Sequence, residues 1–341
     1  MARLMPNPSG RIVLITGGTG SFGRAFVRHL LSLDDPYSSP PKAIRILSRN
    51  EHRQAEMAAE WGRESEPGGR LRFLIGDVRD RERMKQAVQG CHVVVHAAAL
   101  KRVEAAERDP AEAIKTNVTG TMNVVDAAIA EDVERVLILS SDKAASPVTT
   151  YGVSKLMAER YAIASNAYVG VGRTKVSCTR YGNVFGSQGS VIHLFRQQLL
   201  KDGHLTLTDP DATRFIMRME EAIKLVEIAL ANMRGGEVFL PTGLKSASVA
   251  QLANAAAPTA ERNVIGLRGF EKAHESLVSP DEVRYLAHFD KRVAVLDLLN
   301  RWQGRLDTDW GTDLGLTSDT ADRLTEDELK ELVEEVHSAD S

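Results

Sequence analysis

The sequence predicts an α/β fold: a Rossmann-like, doubly wound parallel sheet with a smaller α/β substrate-binding lobe. Three observations predict it. Short β-branched runs alternate with longer helical patterns through the first half of the chain, the pattern of a parallel sheet with helices on its faces. A glycine-rich turn, TGGTGSFG, joins the first run to the first helical pattern. After about residue 182 the alternation loosens, as expected where a chain leaves its sheet for a second lobe.

The elements follow in order. Residues 12–16, 43–48, 71–75, 92–96, 135–140 and 175–181 are apolar, β-branched runs of strand length. Helical spacing covers 22–33, 50–61, 81–88, 111–131 and 151–167. Pro36, Pro40 and Pro41 exclude a helix from 34–41, and GRESEPGG at 62–69 is a second cluster of breakers. Both are expected to be surface loops. Beyond 182, helices are expected at 190–201 and 220–233, the latter stopped by Gly235-Gly236 ahead of a strand at 237–240. Smaller elements are expected at 249–257, 263–267 and 293–299, then a helix at 325–336 with Thr325 as its N-cap and acidic residues in its first turn. The expected boundaries are a dinucleotide-binding domain over 1–182 plus about 217–242, and a lobe over about 183–216 and 243–341.

Composition narrows the function. The chain has 341 residues, 43% of them apolar and 26% charged, which excludes wholesale disorder. Its apolar runs, such as 93–100, fall far short of the ~18 residues needed to span a membrane, and the opening residues lack a signal-peptide core. A cytoplasmic protein is expected. With 43 Lys+Arg against 46 Asp+Glu the net charge is −3, which argues against general nucleic-acid binding. Cys91 and Cys178 lie in apolar strand-like stretches and are expected as buried free thiols. His92 and His96 share a strand-like spacing, but no further ligand completes a set, so no metal site is expected.

The turn after the first strand suits a pyrophosphate. Gly17, Gly20 and Gly23, with Thr19, Ser21 and Phe22 between and beside them, sit just before a helix. Glycines let the backbone turn tightly, and the helix N-terminus offers free N–H groups to an anion. The spacing is G-x-x-G-x-x-G, and its strand–turn–helix setting gives it weight. The second strand ends Leu47-Ser48-Arg49-Asn50, with no acid at its tip until Glu51. Arg49 could pair with a ribose 2′-phosphate, so NADP is expected rather than NAD. Asp77, ending the third strand, is placed to touch the adenine or, alternatively, to cap a helix.

The chemistry concentrates farther on. Ser140-Ser141-Asp142-Lys143 ends the fifth strand, where open parallel sheets bind ligands. Ten residues later Tyr151-x-x-x-Lys155 opens a helix with both side chains one turn apart on one face. A free tyrosine has a pKa of about 10, and the Lys155 ammonium beside a nicotinium would favour its anion. Tyr151 could then take a hydroxyl proton while hydride leaves for the cofactor, with Ser141 bonding the same oxygen.

These residues resemble the extended short-chain dehydrogenase/reductase superfamily. GDVRD (76–80), HAAALKRV (96–103), KTNVTGT (115–121), SDKAASPVTTYGVSK (141–155), RYGNVFGSQGSV (180–191), TRF (213–215) and EKAHESL (271–277) are closer still to inverting UDP-N-acetylglucosamine 4,6-dehydratases of the polysaccharide-biosynthesis type. The resemblance implies oxidation at C4 of a UDP-sugar, loss of water across C5 and C6, and hydride return to C6. It implies Asp142 as the acid and Lys143 as the C5 base, whose pKa burial and nearby cations would have to lower. It also implies cofactor contacts from Val78, Ala97, Ala98, Ala99, Asn117, Tyr181 and Asn183, besides Gly17, Ser48, Arg49 and Asp77. Substrate contacts would come from Lys101, Ser141, Asn183, Val191, Thr208, Arg214, Arg268 and Glu271. A dimer or higher homo-oligomer is implied as well.

The sequence departs from the family's pattern at Gln188, His193, Ile216, Gly269 and Phe270, all in the substrate half. The nucleotide, the sugar and the stereochemical outcome therefore stay open. A UDP-sugar 4-epimerase, a 5,6-dehydratase or a non-catalytic NADP-binding sensor are the alternatives. Asp142-Lys143 argues against a simple epimerase, which needs no acid–base pair at C5 and C6. The retained Tyr151 and Lys155 argue against a sensor.

Overall fold

A computed structural model describes residues 10–33, 40–170, 172–290, 292–302 and 316–339. The expected loop at 34–41 lies mostly outside them.

Strands β1 (Ile12–Thr16), β2 (Ala43–Ser48), β3 (Leu71–Ile75), β4 (Val93–His96), β5 (Arg135–Leu139) and β6 (Lys175–Thr179) alternate with helices. These are α1 (Ser21–Leu31), α2 (Glu51–Glu60), α3 (Arg81–Val88), then α4 (Val103–Arg108), α5 (Pro110–Ala113) and α6 (Gly120–Ala130) before β5, and α7 (Thr150–Ala164) before β6. The second half adds β7 (Asn183–Val184), α8 (Val191–Asp202), β8 (His204–Leu207), β9 (Thr213–Met217), α9 (Met219–Asn232) and β10 (Glu237–Pro241). It closes with β11 (Ser246–Ser248), α10 (Val249–Ala256), β12 (Glu261–Val264), β13 (Leu286–Asp290), β14 (Val293–Asp297) and α11 (Glu326–Ala339).

The main sheet has nine strands in the order β13-β14-β10-β6-β5-β4-β1-β2-β3. Its seven strands from β10 to β3 run parallel, and β14 and β13 add antiparallel at the β10 edge. The chain crosses to opposite sides of β1, making β2 and β4 its neighbours, so the crevice for a ligand opens at the carboxyl ends of β1 and β4. Alternation along each strand feeds two cores. Val13 and Ile15 pack with Phe26, Leu30 and Met57 on one face. Leu14 packs with Met84 and Val124 on the other. Each side chain so buried contributes about 1.5–3 kcal/mol. The smaller sheets, β11-β9-β7 and β12-β8, enclose a third core with Phe195, Leu252 and Leu332.

Gly235 and Gly236 stop α9 with φ of +103° and +96°. A Cβ on Gly236 would come within 2.4 Å of Leu299. The structure departs from the sequence reading in three places. The single helix expected at 111–131 is broken by a π turn at Ile114–Thr119. The breaker cluster at 62–69 starts with a 3-10 turn, Gly62–Ser65. Residues 286–297, within the stretch assigned to the lobe, form β13 and β14 of the main sheet. β14 pairs with the backbone groups of β10 that would otherwise form an open edge, and β13 pairs in turn with β14.

Candidate active site

The glycine turn meets the geometry that a dinucleotide requires. Gly17 adopts φ +67°, and a Cβ there would lie 2.8 Å from the Ala98 backbone. A Cβ on Gly23 would lie 2.5 Å from Gly18. Only glycine lets β1, α1 and the 97–99 segment approach this closely. Gly20 caps α1 without a side-chain hydrogen bond, and no acid stands in the first turn. An anion fits such an uncapped N-terminus. Thr19 is buried, and Phe22 stacks on Phe26 at 5.5 Å.

The rim residues are already engaged. Ser48 accepts a hydrogen bond from Gln54 at 2.9 Å. Arg49 is exposed, 3.8 Å from Asp77. Burial alone would raise the Asp77 carboxyl, but bonds from Arg79 hold it below its ordinary value. The alternative role of Asp77 as a helix cap falls away, because Asp80 caps α3. Val78 is buried against Gly120, where a Cβ would approach to 2.6 Å. Thr16 accepts from the Ala98 N–H through its hydroxyl and from the Ala97 N–H through its carbonyl. Asn117, carried on the π turn, bonds both backbone groups of Leu100 and the Ser154 hydroxyl at 2.8–3.0 Å. It thereby ties the loop after β4 to α7.

Ser141, Asp142, Lys143, Tyr151 and Lys155 converge at the carboxyl end of β5. The Ser141 hydroxyl donates to Asp142 Oδ1 at 2.8 Å and lies within hydrogen-bond reach of the Tyr151 phenol. Asp142 is wholly buried, and its Oδ2 makes no hydrogen bond among the described residues. Lys143 Nζ lies 3.3 Å from Asp142 Oδ1, 3.0 Å from Glu275 Oε1 and 3.4 Å from Asn183 Oδ1. The Thr149 hydroxyl caps α7 by accepting from Gly152, while Glu107 of α4 accepts from the Thr150 N–H and hydroxyl. These two caps fix the turn that carries Tyr151.

The electrostatics differ from the sequence expectation in two respects. Burial would lower the Lys143 pKa, but the Asp142 and Glu275 carboxylates outweigh it and raise the value above the ordinary one. The two carboxylates therefore favour the ammonium form there. Burial likewise raises the Tyr151 pKa, against an opposing pull from Lys143. The cation acting on Tyr151 is thus Lys143; Lys155 donates to the Leu139 carbonyl at 2.6 Å, and burial brings it down to about 8. Tyr181 packs nearby, its phenol raised by burial and by Tyr151, and its carbonyl accepts from the Asp142 N–H. His96 bonds Thr16 and Thr121, and burial with the Lys155 charge lowers it to about 3. Cys91 and Cys178 are both buried and free. The described residues hold no cluster of three or more potential metal ligands, and none of their helices is long and apolar enough to cross a membrane.

In the substrate half, Arg214 donates to the carbonyls of Thr213, Lys272 and Ala273 at 2.7–3.1 Å. Arg268 pairs with Glu104 of α4 at 3.0 Å, and Glu271 accepts from its N–H. Asn183 and Lys101 are exposed, while Val191, at the start of α8, and Thr208 are half-buried. Among the departing residues, Gln188 bonds Ser21 and Arg53 and so bridges the lobe to α1 and α2. His193 bonds the Gly186 carbonyl, and Ile216 is buried in the lobe core.

Sequence reasoning missed three groups. Glu275 faces Lys143 from the far lobe. Arg180 is wholly buried between Glu159 and Glu282. Glu107 caps α7 from another helix. Glu275 stood within the quoted EKAHESL, so the signal was present without a role.

A family model described as polysaccharide biosynthesis protein matches residues 13–297. A UDP-N-acetylglucosamine 4,6-dehydratase (inverting) of Campylobacter jejuni is 39% identical over 84% of this chain and 83% of its own length. A UDP-glucose 4-epimerase of Rickettsia felis is 40% identical over 80% of this chain and 79% of its own. The structure of Pen from Bacillus thuringiensis superposes with a TM-score of 0.86 at 31% identity, covering 96% and 98% of the two chains. DesIV of Streptomyces venezuelae, a dTDP-glucose 4,6-dehydratase solved with NAD bound, has the same fold (TM-score 0.70, 22% identity, 96% and 97% coverage). With its glycine turn, its strand-end Ser-Asp-Lys and its Tyr-x-x-x-Lys helix in one crevice, this chain belongs to the polysaccharide biosynthesis protein family.

Proposed function

We propose that this protein is a nicotinamide-dependent nucleotide-sugar enzyme, and within that class an inverting UDP-N-acetylglucosamine 4,6-dehydratase using NADP. The observation that carries the reading is the Asp142–Lys143 pair in contact with Ser141 at the end of β5. A C4 oxidation alone needs only Ser141, Tyr151 and Lys155. A water elimination needs, in addition, an acid for the C6 hydroxyl and a base for C5–H.

With its pyrophosphate held at the glycine turn, a nicotinamide cofactor would supply a hydride acceptor for C4 and return the hydride to C6. Tyr151 takes the C4 hydroxyl proton, aided by the Lys143 charge, and Ser141 bonds the same oxygen. The new ketone acidifies C5–H. Lys143, once it has lost its extra proton, removes that hydrogen, and Asp142 delivers a proton to the departing hydroxyl. The exposed Arg49 and the lack of an acid at the tip of β2 before Glu51 support NADP. The NAD bound in DesIV is the counter-example against which that choice is tested. Assembly as a homo-oligomer belongs to the same proposal. Val153 and Met157, one turn apart on α7, are 51% and 54% exposed and form an apolar patch that assembly would cover.

The test is incubation with UDP-N-acetylglucosamine in D2O without added cofactor, read by mass spectrometry and NMR. The expected product has lost one water and carries one deuteron at C5 in the inverted configuration. Retained configuration would overturn the stereochemistry. A new C4 epimer of unchanged mass would replace the reading with a 4-epimerase, the second reading, favoured by the 40% identity to the Rickettsia felis epimerase.

A further inference from the structure

Lys143 sits between two carboxylates from different parts of the fold. Asp142 belongs to its own turn. Glu275 arrives from the segment between β12 and β13, 3% exposed, with Oε1 at 3.0 Å from Nζ. Its other oxygen, Oε2, makes no hydrogen bond among the described residues. The backbone around Glu275 is pinned. Its N–H donates to the buried Ser318 hydroxyl at 2.9 Å, the Ser318 N–H returns to its carbonyl at 2.8 Å, and Ser318 shares a hydrogen bond with Thr213 of β9. A buried carboxylate held this rigidly, with one oxygen unspent, is costly unless its charge has a task.

We propose that Glu275 is a positioning residue that fixes Lys143 and sets how readily its ammonium gives up a proton, and so the pH at which the amine is free to act on C5. The inference rests on the dehydratase reading. The proton leaves to solvent, which the 19% exposed Lys143 side chain reaches: the Nζ–H bond breaks, an O–H bond forms on water, and the amine keeps its lone pair. No oxidant or reductant takes part. The lone pair then binds the C5 hydrogen as a proton, and the C5–H electrons pass into the enolate. The charged and titratable groups that face Lys143 are Asp142 from its own turn, Tyr151 from α7, Arg214 from β9, and Lys272 with Glu275 from the loop before β13. Removing one of the two carboxylates leaves the cations Arg214 and Lys272 and must lower the proton affinity of Lys143.

The experiment compares the wild type with Glu275→Gln and Glu275→Asp. The full-length protein is labelled with a small amine-acylating reagent across a pH series. Modification of Lys143 is read by peptide mass spectrometry against the exposed Lys115. Labelling follows the free-amine fraction, so Glu275→Gln should raise it about tenfold at a given pH, one unit of proton affinity. Glu275→Asp, which keeps the charge, should stay near the wild type. In turnover, the midpoint of C5 deuterium exchange should move to lower pH in Glu275→Gln. Equal labelling in wild type and Glu275→Gln overturns the proposal. So does an equal rise in Glu275→Asp, because both variants would then be reporting access rather than charge. A wild type that dehydrates no UDP-sugar fails the dehydratase reading instead, and the labelling result stands apart from it.

Discussion

Arg180→Met tests the claim that the catalytic helix is anchored by a buried ion network. Arg180 ends the β6 region with no solvent exposure. Its guanidinium takes Glu159 of α7 at 2.5 and 3.1 Å, Glu282 at 2.9 and 3.2 Å, and the Leu277 carbonyl at 2.9 Å. Glu159 lies one turn beyond Lys155 on α7, and Leu277 lies two residues past Glu275. One cation therefore ties the helix bearing Tyr151 to the segment bearing the partner of Lys143. Methionine keeps much of the volume and removes the charge, so two buried carboxylates lose their common partner. Breaking a buried pair from one side costs about 3–5 kcal/mol. At roughly 2 °C per kcal/mol for a chain of this size, Tm should fall by about 6–10 °C.

The assay is thermal unfolding by circular dichroism, with the triple variant Arg180→Met/Glu159→Gln/Glu282→Gln as partner. Neutralising both acids, of which Glu282 keeps only the half-exposed Arg160 as an ion-pair partner at 3.3 Å, should restore part of the loss. The pH dependence carries a sign. Burial raises the Glu282 carboxyl, but Arg180 outweighs it and holds the value below the ordinary 4.5. The unfolded chain thus takes up this proton first. The stabilisation is complete above pH 4.5 and is lost as pH falls through the lower folded value. The Met variant should lose that increment of acid sensitivity. A Tm within about 1 °C of the wild type would refute the anchoring argument.

Other outcomes follow from single distances. Gly17→Ala should lose nicotinamide-dinucleotide binding at least tenfold by calorimetry, since its Cβ would lie 2.8 Å from the Ala98 backbone at φ +67°, a conformation costing about 1–2 kcal/mol outside glycine. Arg49→Ala should erase a preference for NADP over NAD; an unchanged ratio of dissociation constants would remove Arg49 from the 2′-phosphate. Lys143→Met should abolish C5 exchange in D2O, and exchange at the wild-type rate would assign the base elsewhere. Glu107→Gln, which weakens the bonds to Thr150 at 2.6 and 3.0 Å, should cost roughly 1 kcal/mol in urea unfolding, the value of a cap.

What could be read from the sequence was local. The glycine turn, the strand-end Ser-Asp-Lys and Tyr-x-x-x-Lys are short contiguous patterns whose spacing alone fixes which side chains meet. Their convergence needs only the carboxyl ends of neighbouring parallel strands, which the alternation of runs and helices already implied. The π turn at Ile114–Thr119 was invisible because its cause is tertiary: Asn117 is drawn to the Leu100 backbone and to Ser154, and neither contact leaves a mark on a helical periodicity. β13 and β14 escaped for a similar reason. The hairpin they form adds to β10 through β14, at an edge left open by the rest of the sheet.

The misjudged charge on Lys143 has the same origin and bears most directly on mechanism. A lysine after a strand, seen beside one aspartate, invites the reasoning that burial will free its amine. The actual balance is set by Asp142 together with Glu275, the latter 132 residues away in the chain and 3.0 Å away in space. Desolvation penalises a lone ion, but two carboxylates in a dry pocket reverse its sign for the cation between them. An ammonium held between two carboxylates gives up its proton at a pH that those carboxylates set. An isolated buried amine would have no such point of adjustment. The second acid thus strengthens the lysine's hold on its proton, and it comes from a lobe that sequence reading placed at the substrate.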